Sequence, residues 1–344
     1  MKYKPRAGQT ERTILADVVP IDTPYVFGIF VGDICNFRCK YCVQSVPIEE
    51  AGAKEHRGAR DLVRKFMPWE TFLRVAAQMQ EFPQRIRKTL LSSLGEPLLH
   101  PRLADMIAYL SAHNISDSCE VVSNASVLTP ELSRALVDAG LSRLCVSIQG
   151  MTAEKYKEIC GYPIDMDELQ ANLRYFYEYS RGRCRLHIKT VDIALDAGEK
   201  EAFLSTFGAF CDSIHVDHVI PAYQDVNYDF LGEQEYGQFS DARRRVDVCS
   251  PLFYTLYVTP AGDVVPCCVV PYAMYYGNVA QESLCAIWNG TKRRKLLELH
   301  LKKRRNMHPV CKDCVVPDST LFAEDMLDDA AEGVLARLSM VGGV

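Results

Sequence analysis

Three cysteines lie within eight residues of this chain, in the segment Cys35-Asn-Phe-Arg-Cys39-Lys-Tyr-Cys42. They follow the apolar run 25–31, a pattern that predicts a buried strand. Thiolates are the usual ligands of iron–sulfur clusters, and close spacing on one loop lowers the entropic cost of assembling them. The alternative is a structural zinc site, but zinc normally takes four ligands from repeated Cys pairs. Three thiolates instead favour a four-iron cluster whose fourth iron is open to a small chelating cofactor.

A second set of cysteines lies towards the C-terminus. Cys249 is followed by Cys267, and Cys311-Lys-Asp-Cys314 comes later in the chain. Between the first two, apolar residues flank the turn Pro260-Ala-Gly-Asp263, which predicts a β-hairpin. Two Cys pairs beside a hairpin suit either a zinc ribbon or an iron–sulfur cluster. The split spacing of the first pair is unusual for a ribbon and favours the cluster.

Six apolar runs alternate with helical patterns and must position these cysteines. The runs are 25–31, 88–92, 119–123, 144–148, 186–193 and 213–220, with helical spacing near 69–77, 103–110, 132–139, 169–177 and 202–210. Strands joined by helical crossovers predict a parallel sheet, because parallel neighbours need long connections. Six such units are too few for a closed eight-stranded barrel. The expected fold class is therefore α/β, with an open, partial (β/α)6 barrel.

The pattern changes along the chain and predicts five parts. These are an N-terminal extension (1–24), the barrel (25–220), a linker or substrate-facing segment (221–248), a small C-terminal α+β domain (249–317) and a helical tail (318–344). Two short helices are expected after the hairpin, with Ser283 and Thr291 as N-caps.

The spacing CxxxCxxC, with Tyr41 just before the last cysteine, resembles the radical S-adenosylmethionine (SAM) enzymes. The resemblance covers roughly residues 25–316. It implies a SAM-binding 4Fe–4S cluster held by Cys35, Cys39 and Cys42. It also implies one-electron cleavage of SAM to a 5′-deoxyadenosyl radical, which removes a hydrogen atom from a substrate.

The same resemblance assigns contacts with SAM. Gly95-Glu96-Pro97 is similar to the family's Gly-Gly-Glu-Pro segment, with Leu94 in place of the first glycine. The strand ends Ser123-Asn124 and Ser147-Ile-Gln149 are similar to further SAM-binding turns. The alternative for these polar residues is capping of strand ends. The residues expected to contact SAM are Tyr41, Gly95, Glu96, Ser123, Asn124, Ser147, Gln149 and Lys189, although Lys189 could bind the substrate instead.

The second cysteine set is similar to the auxiliary-cluster domains called SPASM and twitch. The resemblance implies one auxiliary 4Fe–4S cluster, with Cys249, Cys267, Cys311 and Cys314 as ligands. Cys267 is preferred to its neighbour Cys268 because it stands at the family's distance from Gly262. One cluster fits better than two, since a full SPASM domain usually supplies seven cysteines.

An auxiliary cluster suits oxidation, because a substrate radical must lose a second electron. Twitch-type relatives that oxidise aminocyclitols suggest a sugar, polyol or aminocyclitol as substrate. The hydroxyl proton needs a base. Asp192 and Asp217 are the predicted catalytic residues, with His215 and His218 as further candidates.

Other reactions stay open. Epimerisation would need a free thiol, for which Cys145, Cys211, Cys268 and Cys285 are available. A peptide substrate is a second alternative, although a recognition domain of ~80 residues does not fit before Tyr25. The Tyr-rich segment 223–236 carries four acids that would suit a cationic amino sugar.

Composition excludes some classes of function. The 344 residues carry a formal net charge of −5, which argues against a general nucleic-acid surface. No stretch approaches the ~20 apolar residues of a membrane span, and no secretory signal is recognisable. We expect a cytoplasmic enzyme with a one-electron donor such as flavodoxin or ferredoxin. One basic cluster, 292–305, reads as a solvated helix face or an anion-binding surface.

Overall fold

A computed structural model describes residues 12–46, 64–92, 94–233, 235–239, 242–269, 274–320 and 322–341. One sheet of nine strands, in the order β6-β5-β4-β3-β2-β1-β7-β8-β9, runs through these residues. The strands are β1 Val26–Ile29, β2 Lys88–Leu91, β3 Cys119–Ser123, β4 Arg143–Ile148, β5 Arg185–Val191, β6 Ser213–Asp217, β7 Thr255–Val258, β8 Asp263–Val265 and β9 Gly277–Asn278. All six predicted barrel strands are present, and neighbours from β1 to β6 pair in parallel.

Helices fill the crossovers and the C-terminal part. They are α1 Leu15–Val18, α2 Trp69–Met79, α3 Leu103–Ala112, α4 Pro130–Asp138, α5 Ala153–Cys160, α6 Met166–Ser180, α7 Glu199–Gly208, α8 Pro251–Tyr254, α9 Leu284–Trp288, α10 Thr291–Leu301, α11 Val316–Ser319 and α12 Ala331–Val341. The predicted partial (β/α)6 barrel is confirmed. The short helices α1, α5, α8 and α11 were not predicted.

The strands of the barrel present two chemically different faces. On β4, Leu144, Val146 and Ile148 are fully buried and belong to the main core cluster, which also includes residues of the crossover helices. The residues between them point to the other face of the sheet. Ser147 on β4, for example, lies opposite Lys189 on β5. Because side chains alternate along a strand, the second set lines the concave side of the sheet. That side carries the polar groups of the site.

The predicted hairpin continues the barrel sheet. Its first strand, β7, pairs in parallel with β1 and antiparallel with β8. Gly28 permits this approach, since a Cβ there would lie 2.1 Å from a ring carbon of Tyr257. The part of the chain that carries the second cysteine set is therefore hydrogen-bonded to the barrel through the sheet. The predicted domain boundary near residue 249 stays a prediction.

One of the two predicted helix caps is wrong. Ser283 Oγ accepts from Ala286 N at 3.2 Å and caps α9 as expected. Thr291 is instead the first helical residue of α10, and the extended Gly290 takes the cap position without a side-chain bond. Within the described residues no helix has both the length and the apolar character needed to cross a bilayer.

The two ends of the described chain pack together. The Arg337 guanidinium donates to Val19 O at 3.0 Å, and Arg12 forms an ion pair with Asp325. The basic cluster 292–305, most of which lies on α10, has buried and exposed members. Arg293 is buried against the Trp288 ring at 3.3 Å, whereas the lysines of that cluster are exposed.

Candidate functional site

The loop that carries the first cysteine set follows β1 and packs against the end of α5. Arg38 N donates to Cys160 O and Lys40 N donates to Ile159 O, each at 2.8 Å. These two bonds bracket Cys39. Phe37 is buried in the core, where its ring lies 4.8 Å from that of Tyr162. The loop is thus fixed by main-chain bonds and by one aromatic anchor.

The three thiols of this loop are half-buried. A hydrogen bond with Cys160 is the main cause of the raised pKa of Cys39, and burial is the main cause for the other two. It raises the pKa of Cys35 to about 12 and raises the pKa of Cys42, while the nearby Arg38 charge acts in the opposite direction on both. Thiols of high pKa keep their protons until a metal displaces them. The charges of Cys35 and Cys42 both act on Cys39, so the three thiols lie near one another. This arrangement fits a four-iron cluster, in which each thiolate binds its own iron.

Glu96 lies beside this loop and is 4% exposed. Its carboxylate accepts from Ser123 Oγ at 2.6 Å, Asn124 N at 2.6 Å and Leu98 N at 2.9 Å. Burial raises its pKa to about 7, although these three bonds lower it. Ser123 and Asn124, which are both expected to contact SAM, therefore bond directly to Glu96, which is expected to contact it as well. Their SAM contacts stay a prediction.

Gly95 approaches protein rather than open space. A Cβ at this position would lie 2.5 Å from Ile34 O, and Glu96 N donates to the same carbonyl at 2.8 Å. The glycine was expected to let the backbone approach a ligand. The structure gives a different reason for it, because a side chain here would push away the loop that carries Cys35.

The other expected SAM contacts connect strand ends to the cysteine loop. Tyr41 OH donates to Gln149 Oε1 at 2.7 Å, and Asn124 Nδ2 donates to Asn36 Oδ1 at 3.0 Å. Asn36 was not singled out from the sequence, although its place directly after Cys35 was a usable signal.

Gln44 is a second residue that sequence reasoning missed. It is 2% exposed, and its Nε2 donates to Asp33 O at 2.9 Å and to Leu94 O at 2.6 Å. The amide therefore ties the loop after β1 to the loop after β2. Both loops belong to the expected SAM site, so Gln44 holds its two halves together.

A buried ion pair stands on the concave side of the barrel. Lys189 Nζ lies 3.0 Å from Asp217 Oδ2, and Gln238 Nε2 donates to the same oxygen at 3.1 Å. His215 Nε2 is 3.5 Å from Asp217 Oδ1. The Lys189 charge lowers the pKa of Asp217 against the effect of burial. A carboxylate held ionised in this way is a poor proton acceptor at neutral pH.

The second predicted acid pairs with a histidine. Asp192 Oδ2 lies 2.8 Å from His218 Nδ1, just beyond the ends of β5 and β6. Asp192 Oδ1 also accepts from Val219 N at 3.2 Å, and the His218 ring stacks on Tyr236. Because a carboxylate accepts, Nδ1 of His218 is the donor in this bond, and in a neutral imidazole that leaves Nε2 as an acceptor.

The second cysteine set is assembled from three parts of the chain. Burial raises the pKa of Cys249, of Cys311 to about 12 and of Cys314 to about 11, and the Cys267 thiol raises each further. The four predicted ligands are therefore close enough to influence one another. Cys268 differs, because its thiol is a hydrogen-bond partner of the Tyr257 hydroxyl.

The Tyr-rich segment, residues 223–236, contacts the first cysteine loop. Tyr228 OH donates to Tyr41 O at 3.0 Å, and Tyr223 packs against the small cluster formed by Val43 and Leu94. Part of residues 221–248 thus lies against the first cysteine loop, and the interpretation of this segment as a linker or a substrate-facing segment stays a prediction. Of its acids, Asp229 is exposed and bonds to Asn227.

Two family models match this chain. One, described as the radical SAM superfamily, matches residues 29–201, which is half of the chain. The chain belongs to this superfamily. The other, SPASM, is described as an iron–sulfur cluster-binding domain and matches residues 249–315. The protein is thus a radical SAM enzyme with a C-terminal SPASM domain. The two domains imply SAM, a 4Fe–4S cluster and an auxiliary iron–sulfur cluster.

Two curated relatives each match less than half of this radical SAM enzyme. GTP 3′,8-cyclase of Helicobacter pylori is 29% identical over 157 residues, which are 46% of this chain and 43% of that protein. The tungsten-containing aldehyde ferredoxin oxidoreductase cofactor-modifying protein of Pyrococcus furiosus is 24% identical over 144 residues, 37% of this chain and 36% of that protein. The chain thus spans less than half the length of these relatives.

Solved structures share the fold over most of the chain. BtrN in complex with AdoMet and 2-DOIA has a TM-score of 0.53 at 16% identity and covers 84% of this chain and 92% of its own. Streptococcus suis SuiB bound to the precursor peptide SuiA has a TM-score of 0.58 at 13% identity, and the match covers 87% of this chain and 71% of SuiB. Native anSMEcpe with bound AdoMet has a TM-score of 0.56 at 12% identity, and the match covers 92% of this chain and 99% of anSMEcpe. At these identities the likeness establishes the fold alone.

Proposed function

We propose that this radical SAM enzyme dehydrogenates a hydroxyl-bearing carbon of a small polyol, sugar or aminocyclitol. The observation that carries the proposal is the Asp192–His218 pair, 2.8 Å apart, at the strand ends beside the Lys189–Asp217 pair. A carboxylate-oriented histidine is a suitable general base, and a buried set of donors and acceptors suits hydroxyl groups.

The chain's residues divide this work. Cys35, Cys39 and Cys42 would hold the SAM-binding cluster, and Cys249, Cys267, Cys311 and Cys314 the auxiliary one. When bound, these groups supply the 5′-deoxyadenosyl radical that removes a hydrogen atom and an acceptor for the electron that the substrate then loses.

The protein must remove the hydroxyl proton. His218 Nε2 takes it, and Asp192 holds the imidazole in the required tautomer and stabilises the imidazolium. Asp217 and Lys189 bind hydroxyls and orient the substrate, because their mutual charges keep both ionised. The substrate thus loses one hydrogen atom, one proton and one electron, which leaves a carbonyl.

SAM contacts follow the strand ends. Glu96 has three of its acceptor positions occupied by the protein, which leaves room for the SAM ammonium. The remaining expected contacts are Tyr41, Gly95, Ser123, Asn124, Ser147 and Gln149. Flavodoxin or ferredoxin is the proposed electron donor.

The test is an anaerobic reaction of reconstituted protein with SAM and dithionite. Substrate deuterated at the carbinol carbon should pass deuterium to 5′-deoxyadenosine, and the product should be lighter by two hydrogens. The reconstituted chain should hold about eight irons. A product of unchanged mass would mean epimerisation, and turnover only with a precursor peptide would make the enzyme a peptide maturase. Either result rejects the proposal.

A further inference from the structure

Cys160 is a buried thiol to which the sequence patterns assign no role. It is the last residue of α5 and is 0% exposed. Its side chain is a hydrogen-bond partner of Cys39, the middle cysteine of the first set. It therefore touches a predicted iron ligand without belonging to the CxxxCxxC segment.

The main chain builds this contact. Arg38 N and Lys40 N donate to the carbonyls of Cys160 and Ile159, each at 2.8 Å. Gly161 ends the helix in the left-handed conformation, with φ of 66°, so the last carbonyls of α5 turn towards the loop. Cys39 is held between two such bonds, so its distance from Cys160 is set by the backbone.

The direction of the bond follows from the chemistry of the ligand. A cysteine that binds iron does so as the thiolate, so Cys39 then has no proton to donate. Cys160 Sγ donates to the Tyr156 carbonyl at 3.0 Å. Beside a Cys39 thiolate it has a second, charged acceptor, because the two cysteine side chains are already hydrogen-bond partners. A charged acceptor forms the stronger bond.

We propose that Cys160 is a positioning residue for the SAM-binding cluster, whose S–H donates to Cys39 Sγ and favours the reduced state. Reduction adds negative charge to the cluster and its thiolates, so a hydrogen bond to a ligand sulfur stabilises the reduced form more than the oxidised one. Hydrogen bonds to ligand sulfurs are among the factors that set cluster potentials.

The experiment is an anaerobic redox titration of the full, reconstituted chain, monitored by electron paramagnetic resonance. The first cluster is recognised as the signal that changes when SAM is added. Cys160→Ala and Cys160→Val remove the donor, and Val also fills the space. We expect both to make reduction about fivefold to tenfold less favourable, where tenfold is about 59 mV for one electron. Cys160→Ser keeps a donor and should restore most of the shift.

Cys119→Ala is the control, because Cys119 is also buried but is the first residue of β3, at the amino end of that strand, whereas the loop that carries Cys39 follows the carboxyl end of β1. Wild-type potentials in both Cys160→Ala and Cys160→Val would overturn the proposal, as would an equal shift in Cys119→Ala. Should both non-donor variants fail to load iron while Cys160→Ser loads it, the donor is supported. Failure of all three makes Cys160 a packing residue. The titration needs no substrate, so it is independent of the proposed reaction.

Discussion

Glu96 combines two tasks in one carboxylate. It closes the turn that begins at Pro97 and receives bonds from the end of β3, so it holds two strand ends together. The same group has a pKa raised to about 7 by burial, which favours a nearby cation. A SAM ammonium beside it would restore the ionised form. Under the proposed assignment of Glu96 to SAM, binding of the cofactor and ordering of the strand ends are coupled at this residue.

The proposed base gives the first prediction. His218→Gln removes the proton acceptor while Gln still bonds to Asp192, so product formation should fall by about 10²–10⁴. Formation of 5′-deoxyadenosine should fall much less, because hydrogen abstraction precedes proton loss. Both yields are measured by liquid chromatography in the same reaction. His113→Gln, an exposed histidine near the end of α3, is the control. Equal loss of both yields would show that His218 acts elsewhere.

The ion pair inside the barrel gives a second prediction. Lys189→Met leaves the Asp217 carboxylate buried without its main counter-charge, which should cost about 3 kcal/mol of unfolding free energy. The double variant Lys189→Met with Asp217→Asn removes both charges and should recover much of that loss. Denaturant unfolding of the wild type, the single variant and the double variant measures these differences in unfolding free energy. Additive losses in the double variant would contradict the pairing.

At the scale of elements, the site depends on how loops lie against each other. The loop after β1 is held from two sides, by the end of α5 and by Gly95-Glu96 after β2. Gln44 adds a third tie, between Asp33 and Leu94. The protein itself makes all of these contacts, so they restrict the conformations of the loop and reduce the entropic cost of loading iron.

Gly95→Ala tests this arrangement. The added Cβ would lie 2.5 Å from Ile34 O, so the backbone of the cysteine loop must move. We expect reconstituted protein to lose most of the iron of its first cluster and its response to SAM, while the auxiliary cluster stays. Iron analysis and absorption spectra measure both. Gly232→Ala is the control, because no atom lies within 4 Å of a Cβ there. Normal loading in Gly95→Ala would show that the loop tolerates the shift.

The sequence predicted elements whose signal is local. The six strands have an apolar face that packs on helices, and that periodicity is visible without neighbours. Helix α5 was missed because it is short and half of its residues are charged or polar. The pairing of β7 with β1 joins segments more than 200 residues apart, and no local pattern reports it. The Glu96–Ser123 bond escaped prediction for the same reason.

At the scale of the whole molecule, charged side chains lie on the concave side of the barrel sheet, at two levels along the strands. Lys88, Glu120 and Arg143 form ion pairs near the amino ends of β2 to β4, and Lys189 pairs with Asp217 near the carboxyl ends. His187 lies between these two levels, on β5. Burial is the main cause of its low pKa of about 3, and the charges of Arg143 and Lys189 add to it.

This histidine makes the stability of the whole fold depend on pH. Its pKa is lowered from 6.5 to about 3, so the unfolded chain binds one more proton than the folded one between these values. Stability is therefore complete above about pH 6.5 and falls with acid, by up to about 1.4 kcal/mol per pH unit. His187→Gln keeps a partner for Ser213 and cannot titrate. Between pH 7 and 5 it should lose about 2 kcal/mol less than the wild type, by denaturant unfolding at each pH. Parallel pH profiles for the two proteins would mean that His187 is already accessible to protons in the folded state.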